Sequence, residues 1–318
     1  MIKTDQIVSL IRCHVNNDDA QFRKIALQIS ASEARDGHSA AAASIHEAAT
    51  VPVRLNTFKL TAINADMADL LLMADKRYQL KDLVVSDAIR QKVDRVLKEY
   101  MEQDKLHKYN LENRRKLLLY GASGTGKTMT AEILAQELNL PFIIVRTEKV
   151  VTKFMGETGL KLGKIFDAIA QMPAVYLFDE FDAIGSQRGM DNEVGEQRRI
   201  LNTFLQLLER DSSSSIIIAA TNNVEALDKA LFRRFDDVIE YKLPERDEIT
   251  AILKEALCMS NEVNIYSLCD NFRGMSHAEI KIVCADAMKD CILNDRTITY
   301  SLITELINQR KMAHILVG

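Results

Sequence analysis

Lys116-Leu117-Leu118-Leu119-Tyr120-Gly121-Ala122-Ser123-Gly124-Thr125-Gly126-Lys127-Thr128 is the stretch that decides the fold. Its first half is a short apolar run, the pattern of a strand buried on both faces. Its second half satisfies G-x-x-x-x-G-K-[ST], and a helical pattern follows from Met129 to Leu138. Strand, glycine-rich turn and helix in that order spell a phosphate-binding loop. Glycines let successive N–H groups turn toward phosphate oxygens, and the helix start adds positive potential. Gly121, Ala122, Ser123, Gly124, Thr125, Gly126, Lys127, Thr128 and Met129 are therefore the expected nucleotide-binding residues. Lys127 is long enough to reach β- and γ-phosphates, and the Thr128 hydroxyl suits Mg²⁺.

The glycine distribution sharpens this. Of 12 glycines, nine lie between Gly121 and Gly195. Backbone freedom is concentrated where the chain must approach something closely.

Outward from the loop, further apolar runs occupy Phe142–Val145, Ala174–Phe178, Ser215–Ala220 and Val238–Tyr241. Helical patterns separate most of them, which predicts an α/β fold with a parallel sheet covered on both faces. After Pro244 only helical patterns remain: Ile249–Leu257, His277–Leu293 and Leu302–Met312. Upstream, residues 1–50 predict three short helices, the first carrying Ile7, Leu10, Ile11 and Val15. Pro52 ends the third, because proline lacks an N–H and restricts the residue before it. The expected organisation is an N-terminal helical bundle over 1–50, a linker over 51–80, a nucleotide-binding core over 81–243 and a helical lid over 244–318. Within the linker a short helix is expected around Asp66–Met73.

The run ending in Phe178-Asp179-Glu180 puts two acids at a buried strand tip. Beside a phosphate loop, Asp179 suits Mg²⁺ and Glu180, its neighbour, points the other way toward an attacking water. The bland alternative is a helix start capped by ordinary acids. Asn222 follows another buried strand, either as a turn residue or as an amide that touches γ-phosphate and water. Arg233 and Arg234 follow; one is either a surface charge, a partner of Asp236 or Asp237, or a cation offered to a neighbouring γ-phosphate.

Taken together, GASGTGKT, AVYLFDEFDA, IIAATNN and ALDKALFRRFDDVIEY resemble the AAA+ ATPases in order and spacing, most nearly the clade of protein remodellers. The resemblance spans roughly residues 83–295. It implies a five-stranded parallel core with a helical lid, ATP and Mg²⁺ as cofactors, and a homo-oligomeric ring, usually a hexamer. It makes Asn222 the polar sensor and Arg234 the main arginine finger, with Arg233 second. It assigns Lys153, Phe154 and Met155 to a pore loop that grips polypeptide. Phe272 to Glu279 resembles the lid signature, and His277 stands where the family more often has glycine. There His277 either touches adenine or ribose, or helps Ser276 cap the helix. The finger segment is shorter than usual and Glu209-Arg210-Asp211-Ser212-Ser213-Ser214-Ser215 replaces a common inter-subunit motif. Both features are similar to compact single-ring bacterial or phage members, some of which are encoded beside a subtilisin-like protease. Such a protease is one candidate partner.

Composition sets the remaining bounds. With 41 Lys+Arg against 45 Asp+Glu the net charge is −4, which gives no nucleic-acid footprint. Five cysteines without a C-x-x-C pair read as reduced thiols. No apolar run approaches a membrane span and the first residues do not form a signal segment, so a cytoplasmic location is expected. The expected function is an ATP-hydrolysing ring that remodels, unfolds or threads protein. The alternatives are an ATP-switched regulator of another protein and, third, a nucleic-acid-loading ATPase.

Overall fold

The computed structural model describes residues 10, 19–35, 37–50, 67, 69–151, 157–185, 191–227, 229–257 and 264–317. The chain divides into two compact units, Met1–Lys59 and Leu60–Gly318.

The first unit contains α1 (Asp19–Arg35) and α2 (Ser39–Thr50), joined by a turn at Gly37. Ala26, Ile29 and Ala42 are buried between them. Ser30 Oγ donates to the Ala42 carbonyl at 2.8 Å, so a buried hydroxyl keeps a partner. The expected first helix, around Ile7 to Val15, lies outside the described residues apart from Leu10.

The second unit begins with β1 (Leu71–Ala74), α3 (Asp87–Met101), α4 (Gln103–His107), β2 (Lys116–Gly121) and α5 (Lys127–Glu137). It continues with β3 (Phe142–Val145), α6 (Thr147–Val150), α7 (Glu157–Gln171), β4 (Val175–Phe178), α8 (Asp182–Gly185) and α9 (Asp191–Arg210). Then come β5 (Ile216–Thr221), α10 (Lys229–Phe232), β6 (Asp237–Tyr241), α11 (Arg246–Ala256), α12 (Ile265–Leu268), α13 (His277–Asn294) and α14 (Tyr300–Val317). One six-stranded sheet has the order β1-β3-β4-β5-β2-β6. The five strands β2 to β6 are parallel, as expected.

Strand alternation builds the two layers. Leu117, Leu119, Val175, Leu177, Ile216 and Ile218 pack on one side with Val93, Val96, Ile133 and Leu134 of α3 and α5. On the other side Phe178 meets Phe166 of α7 and Phe204 of α9, with ring centroids 6.3 and 5.2 Å away. Offset and edge contacts of this kind add to plain burial. The helices after β6 form their own core of Ile249, Ile252, Phe272, Ile280, Val283 and Ile303, the expected helical lid. Cys284 is buried there, which pushes its thiol up to about 12.

Two expectations need correction. The sheet has six strands rather than five, because β1 pairs antiparallel with β3. The segment expected as a linker with a helix near Asp66–Met73 therefore contributes an edge strand. Its period is weak because only Leu71 of that strand is buried, while Leu72 and Met73 are exposed. Pairing with an open sheet edge, not local propensity, sets its conformation.

Candidate functional site

The parallel strands β4, β5 and β2 are neighbours, so their C-terminal ends meet at one edge. That edge carries Asp179 and Glu180, then Asn222, then the phosphate loop. Such strand ends are where open α/β sheets bind ligands.

Gly121 ends β2 at φ +140°, and a Cβ there would sit 1.9 Å from the Tyr241 carbonyl oxygen. Only glycine lets the loop leave against β6. Lys127 then folds back under the loop. Its Nζ donates to the carbonyls of Gly121 and Ala122, each at 2.8 Å, and to Asn222 Oδ1 at 2.7 Å. Burial holds the ammonium below the ordinary lysine range, and the Asp179 and Asp182 carboxylates oppose that. Below the loop, Tyr241 Oη donates to Thr130 Oγ1 at 2.7 Å, and Thr130 Oγ1 donates to Gly126 O at 3.0 Å. The floor of the loop is thus fixed by side chains from α5 and β6.

Thr128 Oγ1 donates to Asp179 Oδ2 at 2.8 Å. The sequence expected these two groups to share a cation, and the fold brings them together. The other Asp179 oxygen accepts the Glu180 N–H at 2.9 Å. Glu180 has φ +50° and is exposed. A non-glycine residue in that region is uncommon and costs energy, so its surroundings must hold it there. They do: Phe181 N donates to Ala220 O at 2.8 Å and Thr221 Oγ1 donates to Asp182 Oδ1 at 3.0 Å. The turn after β4 is bolted to β5, and Asp182 is a partner of Thr221.

A cleft of about 390 Å³ opens over these groups. Ser123 to Met129, Asp179, Glu180 and Asn222 line it, together with Tyr78, Asp82, Leu83 and Val84 before α3, and Ile252, His277, Ala278 and Lys281 of the lid. Gly121 and Ala122 are not among its lining residues; their carbonyls accept from Lys127, which is. The lid touches the loop directly: Ala278 N donates to Gly124 O at 3.0 Å. Gly124 has φ +72°, and a Cβ there would lie 2.8 Å from Ser276 Oγ. Ser276 caps α13 in a box with Glu279. His277 therefore is free of the capping duty. It is buried, and neither ring nitrogen makes a well-formed hydrogen bond. Burial, then the Lys281 charge, lowers its pKa to about 4, while the Val84 backbone opposes this. Its imidazole is neutral at pH 7 and faces the cleft.

Arg233 and Arg234 stand away from this cleft, and both are exposed. Arg234 forms an ion pair with Glu209 at the end of α9. The pairing considered with Asp236 or Asp237 is corrected: Asp236 accepts the Arg115 and Lys116 N–H groups, each at 2.9 Å, and Asp237 holds Lys92 at 2.8 Å. Those two acids fasten β6 to β2 and α3. Lys153, Phe154 and Met155 lie outside the described residues.

Sequence reasoning missed Tyr78, Asp82, Leu83, Val84 and Lys281 as lining residues. No local motif marks them: Tyr78, Asp82, Leu83 and Val84 line the cleft through the path of the chain over α5, and Lys281 through its place on α13.

Residues 117–243 match the AAA family, described as the ATPase family associated with various cellular activities. An uncharacterized AAA family ATPase of Sinorhizobium fredii is 34% identical over 232 residues, covering 72% of this chain and 70% of the relative. A proteasome-activating nucleotidase of Saccharolobus solfataricus is 38% identical over 205 residues, 61% of this chain and 52% of its own length. Another, of Methanoregula boonei, is 35% identical over 197 residues, 58% of this chain and 45% of its own. The chain thus spans about half the length of the two nucleotidases.

Proposed function

Since the chain belongs to the AAA family of ATPases and hydrolyses ATP, we propose that it couples hydrolysis to the remodelling of a protein. The observation that carries this is the meeting of Lys127, Asn222, Thr128, Asp179 and an exposed Glu180 at one sheet edge. Likeness to proteasome-activating nucleotidases supports a protein as the object of the work.

In this proposal Lys127 exchanges its bonds to Gly121 O and Ala122 O for phosphate oxygens. Its lost hydration and burial make that exchange favourable. Asn222 stays beside Lys127 and orients the γ-phosphate end. Glu180, held at φ +50°, projects its carboxylate into the cleft and accepts a proton from the attacking water. Thr128 and Asp179 supply two hard oxygens 2.8 Å apart, a donor set that suits Mg²⁺, which would neutralise charge on the phosphates. Among the described residues no group of three or more His, Cys, Asp and Glu forms a metal site. An ion held by one carboxylate, one hydroxyl and the nucleotide's own oxygens fits that.

The proposed assembly is a head-to-tail ring, six subunits by family likeness, in which Arg234 reaches the nucleotide of the next subunit. Lys153, Phe154 and Met155 would form the grip on polypeptide, and residues 1–50 the adaptor. A subtilisin-like protease is kept as a candidate partner. Free thiols at Cys269, Cys284 and Cys291 fit a reducing cytoplasm.

The test is loss of fluorescence from a folded fluorescent protein carrying an unstructured tail, in the presence of excess ATP. Remodelling predicts a loss that needs ATP and stops with Glu180→Gln. Steady hydrolysis with no effect on any tailed substrate, and none on its aggregation or assembly, would count against it.

A further inference from the structure

Between β1 and α3 the chain crosses α5 as a strap, residues 75–83, with no strand partner and a single short turn at Leu80–Asp82. Its backbone N–H groups must bond to something. Gln79, Asp82 and Leu83 donate within the strap, and three others, Arg77, Tyr78 and Leu80, donate to two glutamates of α5. Arg77 N and Tyr78 N both donate to Glu132 Oε1, the second at 3.0 Å. Leu80 N donates to Glu137 Oε1 at 3.0 Å. Lys76 Nζ donates to the Leu140 carbonyl at 3.1 Å, just past the end of α5. From the other side, Arg90 Nη1 of α3 donates to Leu80 O at 2.8 Å. Hydrogen bonds to a carboxylate are roughly twice as strong as neutral ones.

This clamp has a consequence for the cleft. Helix α5 is the helix that the phosphate loop opens, so loop and strap ride on one rigid element. The strap brings Tyr78 to the cleft and leads into Asp82, Leu83 and Val84, which line it together with the lid's His277 and Lys281. At 1.5 Å per residue, Glu132 sits about 7 Å along the axis from Lys127, beyond the reach of the phosphates themselves. The wall it holds carries the Tyr78 ring, Leu83 and Val84 beside the Asp82 carboxylate; ring and aliphatic surface with an acid suit a heterocyclic base rather than a polyphosphate.

We propose that Glu132 is a positioning residue that holds Tyr78 against the base of the nucleotide, and that this pair sets base affinity and selectivity. The inference rests on the cleft being the nucleotide site. Glu132 touches neither base nor phosphate. It acts through the Arg77 and Tyr78 N–H groups.

The experiment is calorimetric binding of ATP, GTP and inorganic tripolyphosphate to the full chain and to Glu132→Ala, Glu132→Gln and Tyr78→Ala. Tripolyphosphate reports the phosphate loop alone. Glu132→Ala should weaken ATP about tenfold and narrow the ATP-to-GTP ratio, with tripolyphosphate changed less than about twofold. Glu132→Gln keeps the accepting oxygen and should recover most of the loss. Tyr78→Ala leaves every backbone bond of the strap intact, so it tests the base contact even where Glu132→Ala folds poorly; it should lose the same selectivity. Unchanged ATP binding in Glu132→Ala and Tyr78→Ala overturns the proposal, as does equal weakening of ATP and tripolyphosphate. If the wild-type chain binds tripolyphosphate and ATP equally, the cleft does not read a base. If it binds neither, the nucleotide assignment of the cleft fails first.

Discussion

Arg234 and Glu209 form an ion pair within one chain, with the arginine side chain 45% and the glutamate side chain 42% exposed. The residue proposed as the arginine finger is therefore neutralised by the end of α9 in the isolated subunit. A half-exposed pair contributes only about 0–1 kcal/mol, so a neighbouring phosphate can displace it. Glu209→Gln should release Arg234 with little change in stability. Steady-state hydrolysis should then reach half-maximum at lower chain concentration. Arg234→Ala should lower kcat by about 10³-fold while ATP still binds. Rate against chain concentration checks both.

Gly124 couples the loop to the lid through φ +72° and its closeness to Ser276. Gly124→Ala should strain the loop and push the lid outward. The cost falls on the closed cleft, not on the sheet. ATP affinity should drop by roughly tenfold, while the lid helices keep their slow hydrogen exchange. Calorimetry beside exchange mass spectrometry separates these effects.

His277 gives a pH signature. Its pKa falls from 6.5 unfolded to about 4 folded. The unfolded chain therefore binds the proton first as pH drops. The stability linked to a neutral His277 is present above pH 6.5 and is lost between there and pH 4. The slope is at most about 1.4 kcal/mol per pH unit. Urea midpoints at pH 7.5, 6 and 5 should fall less steeply for His277→Gln than for the parent chain. Parallel curves would show that the imidazole is not the group responsible.

Much of this was legible in the sequence because it rests on local grammar. The phosphate loop needs glycines at fixed offsets, and Asp179 and Asn222 sit at the tips of uninterrupted apolar runs. Position along the chain then fixes position on the sheet. What was illegible depends on contacts between distant segments. The edge strand at Leu71–Ala74 has no strong period because it buries one face of one residue. Tyr78 lines the cleft from a strap whose backbone is bonded to Glu132, 54 residues later. The φ of Glu180 is imposed by β5, and nothing around Asp179-Glu180 announces it. Arg234 found Glu209 rather than the nearby aspartates because those were already committed to backbone N–H groups and Lys92.

In the proposed mechanism Glu180 activates water for ATP held between subunits. Native mass spectrometry of Glu180→Gln with ATP, beside its hydrolysis rate, checks this role. The expected result is a closed oligomer loaded with intact ATP, dissociating when ATP is removed, and turnover reduced by at least about a hundredfold. A monomer that hydrolyses ATP at the parent rate would contradict it.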